Sequence, residues 1–316
     1  MNLRVGVQMD PIETIAIAGD TTFAMMEAAQ ARGHTLYVYQ PDALSYREGR
    51  VFATARPVTV KRQQGDHAAL GPAQALDLAD DLDVILMRQD PPFDMHYITA
   101  AHLLELVHPR TLVVNDPFWV RSSPEKISPL LFPQLQPPTL VTRDLAAMRA
   151  FRADHGDVVV KPLYGKAGEG VFLAKADDGN FAALIELFLA TRREAIQLQA
   201  FIPAVFEGDK RIILIEGEPA GVLNRKPQGR DIRSNLAAGG VAEAADLSDA
   251  DRAICAAIGP TLRERGLVFV GIDVIAGRLT EINVTSPTGA MAIRGLGGPD
   301  LMPLFWDAVE ARRART

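Results

Sequence analysis

A strand, a helix and a second strand are predicted in succession at the start of the chain, and this order restricts the possible folds more than composition does. Residues 3–9 are apolar and prone to β-structure, and residues 21–32 carry apolar side chains at helical spacing. Gly33 ends that helix, and residues 35–39 form the next strand. A β-loop-α-β opening of this kind predicts an open parallel sheet.

Two later apolar runs, residues 83–87 and 111–114, are typical of buried central strands, and a helical pattern lies between them. Residues 1–122 are therefore predicted to form one α/β domain. At about 150 residues per domain, the length of 316 residues predicts about two domains. Prolines punctuate the chain beyond Ser122, which indicates a crossover into the second one.

The remaining chain is predicted to alternate helices and strands. The helices are expected at 144–155, 181–191, 249–265 and 304–315, and the strands at 158–161, 196–199, 211–216, 220–225, 268–276 and 278–284.

Composition excludes several classes of protein. The net charge of −6 argues against bulk binding to nucleic acid or to anionic membranes, which needs a basic surface. No apolar run approaches the roughly 18 residues that span a bilayer. Cys255 is the only cysteine, so an intrachain disulfide and a thiolate zinc cluster are excluded, and a reducing cytoplasm is the expected location.

Polar loops follow three of the predicted strands at the edge where open α/β sheets bind ligands. They contain Asp10-Pro11-Ile12, the segment from Arg88 to Asp94, and Asn115-Asp116-Pro117. The alternative is structural, with proline ending each strand and aspartate capping the next helix.

A glycine-rich loop follows the strand that ends in Lys161, with glycines at Gly165, Gly168 and Gly170. Backbone N–H groups of such a loop, together with the lysine, suit the phosphates of a nucleotide. The spacing matches neither the P-loop nor the dinucleotide fingerprint. A tight β-hairpin is the structural alternative.

Asp273, Glu281 and Asn283 form a candidate metal site on two strands joined by a short turn. Alternation along a strand places Glu281 and Asn283 on one face, and Asp273 can lie opposite them. Hard oxygen ligands in small number suit Mg²⁺ that is completed by phosphate and water. The alternative is a pair of strands with polar outer faces.

Basic side chains at strand ends and in one long loop could bind a triphosphate and a carboxylate, although any one of them could be a solvated surface charge. They are Lys126, Lys161, Arg211, Arg225 and Arg233. The loop from Gln228 to Gly240 is long enough to act as a lid that excludes water.

Taken together, the motifs resemble the ATP-grasp ligases and, among them, the bacterial glutathione synthetase family, over essentially the whole chain. The resemblance rests on Met9-Asp10-Pro11-Ile12, Ile85-Leu86-Met87-Arg88, Asp90-Pro91-Pro92-Phe93-Asp94, Lys161-Pro162-Leu163, Gly208-Asp209-Lys210-Arg211, Asn235-Leu236-Ala237-Ala238-Gly239-Gly240 and Thr280-Glu281-Ile282-Asn283-Val284-Thr285-Ser286-Pro287-Thr288. Two segments depart from the family. Gly165-Lys166-Ala167-Gly168 stands where Gly-Met-Gly-Gly or Gly-Asn-Gly-Gly is usual, and Gly289-Ala290-Met291-Ala292 stands where Gly-Ile-Arg-Glu is frequent.

The resemblance implies an α/β and α+β fold in which an N-terminal open parallel-sheet domain (1–122) precedes a two-lobed ATP-grasp domain. The lid lobe would span 123–203, and the C-terminal lobe with the metal site would span 204–316. The implied reaction joins γ-glutamylcysteine to glycine through an acyl phosphate, giving glutathione, ADP and phosphate. Mg²⁺ is the implied metal, with Mn²⁺ as a substitute, and the implied assembly is a homo-oligomer, a tetramer in this family.

Residue by residue, the resemblance implies four groups of contacts. Arg211 and Arg225 would be catalytic, and Asp273, Glu281 and Asn283 would hold the metal. ATP would be bound by Lys126, Lys161, Gly165, Lys166, Gly168, Gln199, Phe201, Ile202 and Asp209, with Asp209 on the ribose. The other substrates would contact Asp10, Asp20, Arg88, Arg233, Asn235 and Thr288.

Two alternatives stay open because of the departures. A related carboxylate-amine ligase could use another γ-glutamyl donor or amine acceptor, and a regulatory protein could bind ATP without turnover. If Arg225 is catalytic, Arg225→Ala is expected to lower turnover far more than fold stability.

Overall fold

The computed structural model describes residues 2–166, 168–229 and 231–315. Four residues lie outside this part of the chain. They are Met1 and Thr316, Ala167 of the predicted phosphate loop, and Arg230 of the predicted lid loop. Three β-sheets organise the described residues, and each carries helices on its faces.

The first sheet belongs to the N-terminal part of the chain. Its strands are β1 (Arg4–Gln8), β2 (Thr35–Tyr39), β3 (Leu44–Arg47), β4 (Arg50–Val60), β5 (Ala68–Leu70), β6 (Gln74–Asp77), β7 (Val84–Met87) and β8 (Leu112–Val114). The helices here are α1 (Thr21–Ala31), α2 (Met95–Glu105) and α3 (Pro117–Ser122). The order β3-β4-β2-β1-β7-β8 keeps β2, β1, β7 and β8 parallel.

The predicted open parallel sheet carries antiparallel strands at one edge, where β4 pairs with β2, and β3, β5 and β6 pair with β4. These strands are short or polar on one face. The burial of β4 alternates along most of its length, which marks a strand with one covered face. The parallel centre, in contrast, is buried on both faces, as the continuous apolar runs predict.

The second sheet has the order β11-β10-β12-β9 and is antiparallel throughout. Its elements are β9 (Thr139–Thr142), α4 (Leu145–His155), β10 (Val158–Pro162), β11 (Phe172–Ala174), α5 (Phe181–Thr191) and β12 (Ile196–Ala200). The sequence did not predict β9, which lies just after the proline-rich crossover. The glycine-rich loop joins the antiparallel strands β10 and β11.

The third sheet has the order β15-β14-β13-β16-β17. Its elements are β13 (Asp209–Ile215), β14 (Glu218–Lys226), β15 (Val241–Ala244), α6 (Asp249–Glu264), β16 (Phe269–Ile275), β17 (Arg278–Asn283), α7 (Ala290–Gly295) and α8 (Met302–Arg313). The β13–β14 turn uses Glu216 (φ 53°) and Gly217 (φ 73°), one residue earlier than predicted, because a two-residue turn with both φ values positive fits the twist of a hairpin. The sequence also missed β15.

The hydrophobic cores do not follow the order of the chain. Two clusters combine side chains of the first and third sheets, so that Phe23 and Met25 of α1 share a core with Trp306 of α8. The second sheet has its own smaller cluster around Val158 and Phe188. The first and third sheets therefore form one continuous body, and the second sheet packs around a separate core. None of the described helices combines the length and the apolar character needed to cross a membrane.

Candidate active site

Three adjoining clefts run through the region where the three sheets meet. The inner cleft, about 780 Å³, lies between the second and third sheets and is lined by Lys161, Gln199 and Asp209 among others. The chamber, about 900 Å³, is lined by Arg211, Arg225 and Thr288 among others.

The outer pocket, about 1280 Å³, is formed mainly by loops of the first sheet, and Asp10 and Arg88 line it. Glu125, Asn235 and Glu281 line both the inner cleft and the chamber. Asp90, Pro91 and Lys166 line both the chamber and the outer pocket. The clefts are therefore continuous, and one site can hold several small molecules side by side.

The predicted residues are distributed over all three clefts. The inner cleft holds Lys126, Lys161, Gly165, Gly168, Gln199, Phe201, Ile202, Asp209, Arg233 and Asp273. Glu281 and Asn235 face both the inner cleft and the chamber, and Asn283, Arg211, Arg225 and Thr288 line the chamber. Asp10, Asp20 and Arg88 line the outer pocket. Two positions differ from the expectation: Lys166 faces the chamber and outer pocket, and Arg233 faces the inner cleft.

Two buried lysines face one glutamate in the inner cleft. The ammonium groups of Lys126 and Lys161 each lie 3.9 Å from Oε1 of Glu281. Lys161 donates a hydrogen bond to Oε1 of Gln199 (2.9 Å), and burial lowers its pKa. Burial also opposes the charge of Lys126, but Glu281 and Glu125 raise its pKa. Two cations in a largely closed cleft can bind the phosphates of a nucleotide.

Part of the lining of the inner cleft is apolar. Val159, Phe201, Ile202 and Val205 contribute to it and offer a surface for a flat base. Asp209 also lines this cleft, with Oδ2 accepting hydrogen bonds from Arg225 (2.6 Å) and Ser234 (2.5 Å). Its Oδ1 is buried and has no hydrogen-bond partner among the described residues. That oxygen can accept a hydrogen bond from a sugar hydroxyl.

A row of charged side chains crosses neighbouring strands between the inner cleft and the chamber. Strand register places Asp209 opposite Arg225, and Arg211 opposite Asp273. Arg211 donates to both carboxylate oxygens of Asp273, at 2.6 and 3.1 Å. The Arg225 guanidinium lies 2.9 Å from Oδ1 of Asp273 and also binds Asp209.

The electrostatics of this row follow from its geometry. Although burial opposes ionisation, Arg211 and Arg225 hold the pKa of Asp273 well below its usual range. Burial, only partly offset by Arg225, raises the pKa of Asp209 to about 6. Arg225 is itself buried, and its removal would leave two buried carboxylates without this partner. We therefore expect Arg225→Ala to lower the stability of the fold as well as turnover, so that alanine alone does not separate the two effects.

The three predicted metal ligands fit Mg²⁺ unequally. Among the described residues, the carboxylate of Glu281 accepts no hydrogen bond and has only the two lysine ammonium groups at 3.9 Å beside it. The buried Nδ2 of Asn283 likewise has no partner among these residues, and Oδ1 of the same amide is the atom that could bind a cation. In Asp273, Oδ1 already accepts from both arginines, whereas Oδ2 accepts only from Arg211. Because each carboxylate oxygen has two lone pairs, Oδ2 retains one for a cation.

No cluster of three or more histidine, cysteine, aspartate and glutamate side chains within the described residues is arranged to hold a metal ion. Two carboxylates and one amide are a small donor set. Mg²⁺ sites of this kind are completed by substrate phosphates and water.

The outer pocket combines a buried cation with several carboxylates. Arg88 is buried and donates to Oγ1 of Thr22 (3.0 Å) and to the carbonyl of Pro287 (3.1 Å), and it forms no ion pair with a carboxylate among the described residues. The hydroxyl of Tyr97 is buried, lacks a partner among the described residues, and belongs to a side chain that lines the pocket.

The acidic side chains of the outer pocket include Asp10, Asp20 and Asp90. Asp10 accepts from the backbone N–H of Asp90 (2.9 Å), and Asp20 caps α1 through the N–H of Phe23 (2.6 Å). A pocket with both charges suits a zwitterionic head group.

The third polar loop has the structural role that the alternative described. Asn115 donates to the carbonyls of Phe269 (2.9 Å) and Val284 (2.7 Å), which ties the first sheet to the third. Asp116 caps α3 through the N–H of Phe118 (2.9 Å). Neither residue lines the three clefts.

Sequence reasoning missed Glu125, Ser234 and Tyr97. Glu125 is next to the predicted ligand Lys126, and Ser234 lies within the predicted lid loop, so their positions in the sequence could have identified them. No feature of the sequence marks Tyr97, because its spacing within α2 is that of an ordinary core residue.

Comparison with known proteins agrees with this geometry. A family model described as prokaryotic glutathione synthetase, N-terminal domain, matches residues 3–121, and one described as prokaryotic glutathione synthetase, ATP-grasp domain, matches residues 125–298. The chain is 53% identical to a glutathione synthetase of Mesorhizobium japonicum over 313 residues, covering 99% of this chain and 100% of the relative. It is 54% identical to that of Rhodopseudomonas palustris over 314 residues, with the same coverage.

Solved structures share the fold. D-cycloserine synthetase DcsG superposes with a TM-score of 0.69 at 17% identity, covering 98% of this chain and 99% of that one. The ATP-grasp ligase PsnB, in a structure with a minimal precursor variant, Mg and ADP, gives a TM-score of 0.61 at 20% identity, with coverages of 99% and 98%. The predicted N-terminal domain followed by an ATP-grasp domain is thus confirmed. Because the two family models together match most of the chain, the protein belongs to the prokaryotic glutathione synthetase family of ATP-dependent ligases.

Proposed function

We propose that the protein is a glutathione synthetase that joins γ-glutamylcysteine to glycine at the expense of ATP. The observation that carries this proposal is that the three clefts share lining residues, so that a cleft with two buried lysines, a chamber with two arginines and a pocket with both charges adjoin one another. Full-length relatives at more than 50% identity carry the same name. ATP would occupy the inner cleft, and the dipeptide would extend from the chamber into the outer pocket.

The chemistry requires activation of a poor acylating group. The cysteinyl carboxylate attacks the γ-phosphate of ATP, ADP leaves, and glycine then displaces phosphate from the acyl phosphate. Lys126 and Lys161 lie where they can offset charge on the phosphoryl oxygens. Arg211 and Arg225 line the chamber, where charge develops on the tetrahedral intermediate, and preorganised cations of this kind stabilise such charge.

Glu281, Asn283 and Oδ2 of Asp273 would hold Mg²⁺, which neutralises phosphate charge when bound. Mn²⁺ would substitute for Mg²⁺, because it accepts the same oxygen ligands. Replacement of Mg²⁺ by Mn²⁺ in the turnover assay tests this point.

Two loops would exclude water from the acyl phosphate. A Cβ atom built on Gly168 would lie 3.0 Å from Oδ1 of Asn235 and 3.1 Å from Cδ of Arg233, so the phosphate loop and the long loop touch. Ser234 fixes the long loop to Asp209 through a buried hydrogen bond. Closure of both loops would protect the intermediate from hydrolysis.

We also propose the predicted three-part division of the chain, a homo-oligomeric state, a tetramer by family resemblance, and a cytoplasmic location. The support for the location is the single cysteine, Cys255, which allows no intrachain disulfide and is typical of a reducing compartment. Light scattering of the purified protein and cell fractionation test the last two points.

The direct test is incubation with Mg-ATP, γ-glutamylcysteine and glycine. We expect glutathione and ADP in equal amounts, measured by mass spectrometry and a coupled ADP assay. A matched reaction without glycine should release little ADP, because the acyl phosphate has no acceptor.

Other outcomes separate the alternatives. Product from a different amine or γ-glutamyl donor, without glutathione, would identify a related ligase. ATP binding without ADP release for every substrate pair would indicate a regulatory protein and contradict the enzyme.

A further inference from the structure

Lys166 lies at the junction of the chamber and the outer pocket. It lines both of them and is absent from the lining of the inner cleft. Its ammonium makes no hydrogen bond or ion pair with any described residue. The other cations of the chamber, Arg211 and Arg225, are bound to Asp273 and Asp209. Lys166 is therefore the chamber cation most available to a ligand.

The surroundings of Lys166 suit a ligand that carries both charges. Asp10, Asp20 and Asp90 supply negative charge for the ammonium of a zwitterion in the outer pocket. The pKa of Asp90 is raised by burial, and Arg88 and Lys166 are among the charges that act against this rise. Arg88 is fixed in the wall by Thr22 and Pro287. If the ammonium of a zwitterion binds these aspartates, its carboxylate can bind Lys166, which lines the same pocket.

We infer that Lys166 binds the α-carboxylate of the donor's glutamyl end and thereby determines specificity for γ-glutamyl donors. The inference rests on the proposed function and deepens it. It assigns this lysine of the phosphate loop to the dipeptide and not to ATP. The side chain of Lys166 is exposed, so it can reorient onto the substrate without breaking a hydrogen bond or an ion pair to any described residue.

The same loop also contacts the nucleotide cleft. The carbonyl of Gly165 accepts a hydrogen bond from the ammonium of Lys126 (3.1 Å), and Gly165 and Gly168 line the inner cleft. Neighbouring residues of one loop therefore face the two different ligands, which allows the contribution of Lys166 to be tested separately from nucleotide binding.

The test compares Lys166→Met with wild type in glutathione formation. Methionine keeps much of the length of the side chain and removes the charge. We expect the KM for γ-glutamylcysteine to rise about tenfold, since one charge-assisted contact is lost, with the KM for ATP within about twofold. Lys166→Arg should restore the donor KM to near the wild-type value.

A donor analogue isolates the contact. In 4-aminobutanoylcysteine, hydrogen replaces the glutamyl α-carboxylate. Wild type should show about tenfold higher KM for this analogue than for γ-glutamylcysteine, whereas Lys166→Met should treat the two donors alike. Lys61→Met is the matched control, because Lys61 is an exposed lysine that pairs with Asp66 and lines none of the three clefts.

The outcomes are distinct. Suppose that wild type makes glutathione. The inference is then wrong, and the proposed function stands, if Lys166→Met keeps the wild-type KM for the donor or raises the KM for ATP instead. The same holds if Lys166→Met still discriminates against the analogue. If wild type makes no glutathione, the proposed function fails, and the inference fails with it.

Discussion

At the scale of single residues, the charged row across β13, β14 and β16 shows what a sequence can and cannot specify. Arg211, Arg225 and Asp273 were predictable as functional residues from their positions on strands. Their pairing was not predictable, because strand register decides which side chains face each other, and a slip of one residue turns them to the other face.

We expect Arg225→Lys to separate catalysis from folding better than alanine does. Lysine keeps the positive charge but not the planar fork that bridges Asp209 and Asp273. Turnover should fall about a hundredfold, whereas the free energy of unfolding should fall by about 1 to 2 kcal/mol. Steady-state kinetics and urea unfolding measure the two quantities.

The matched control is Arg263→Lys. Arg263 is an exposed arginine of α6 that binds Glu218 (2.6 Å), which begins β14, whereas Arg225 lies near the other end of that strand. It should change neither quantity appreciably. Wild-type turnover in Arg225→Lys would contradict the catalytic role of Arg225.

At the scale of elements, long periodic segments were predictable and short edge strands were not. The helix at Phe181–Thr191 has the predicted bounds, because its apolar residues recur over three turns. In contrast, β5, β9 and β15 are three or four residues long and incompletely buried. Such strands owe their formation to a neighbouring strand, which the sequence alone does not reveal.

Gly168→Ala tests the contact between the phosphate loop and the long loop. Gly168 has a φ of +77°, and an alanine Cβ would press on Asn235 and Arg233. A strain of about 1 to 2 kcal/mol in the closed loop corresponds to roughly tenfold weaker closure, so the KM for ATP should rise about tenfold. Kinetics at varied ATP concentration measure this change.

Gly179→Ala provides the control, because a Cβ at Gly179 would meet no atom within 4 Å. Its KM for ATP should equal that of wild type. If Gly168→Ala also keeps the wild-type KM, the two loops do not close together over the nucleotide.

At the scale of the whole molecule, the protein without ligands should lose stability as the pH rises. Burial and the neighbouring Glu281 raise the pKa of Glu125 to about 7 from its ordinary value of 4.5. The folded state therefore holds the proton more tightly than the unfolded state does. Between about pH 4.5 and 7, the contribution of Glu125 to the free energy of unfolding falls as pH rises.

Glu125→Gln removes this titration. We compare the free energies of unfolding of the variant and of wild type at each pH. The value for the variant minus the value for wild type should increase by about 1 to 3 kcal/mol between pH 5 and pH 8. Urea unfolding without nucleotide or metal measures the difference. Glu186→Gln, on the exposed face of α5, should give a curve parallel to wild type. A parallel curve for Glu125→Gln would contradict the assignment.

The shared core of the first and third sheets has a consequence for how the chain folds during synthesis. Trp306 of α8 is fully buried and donates a hydrogen bond to the carbonyl of Met25 in α1 (2.9 Å), and Phe305 and Val309 are buried in the same cluster. The N-terminal sheet therefore lacks part of its apolar covering until α8 has left the ribosome. Because α8 lies near the end of the sequence, the N-terminal part cannot complete its fold as soon as it emerges. The apolar face of this sheet therefore stays partly uncovered until the segment that contains α8 has been synthesised.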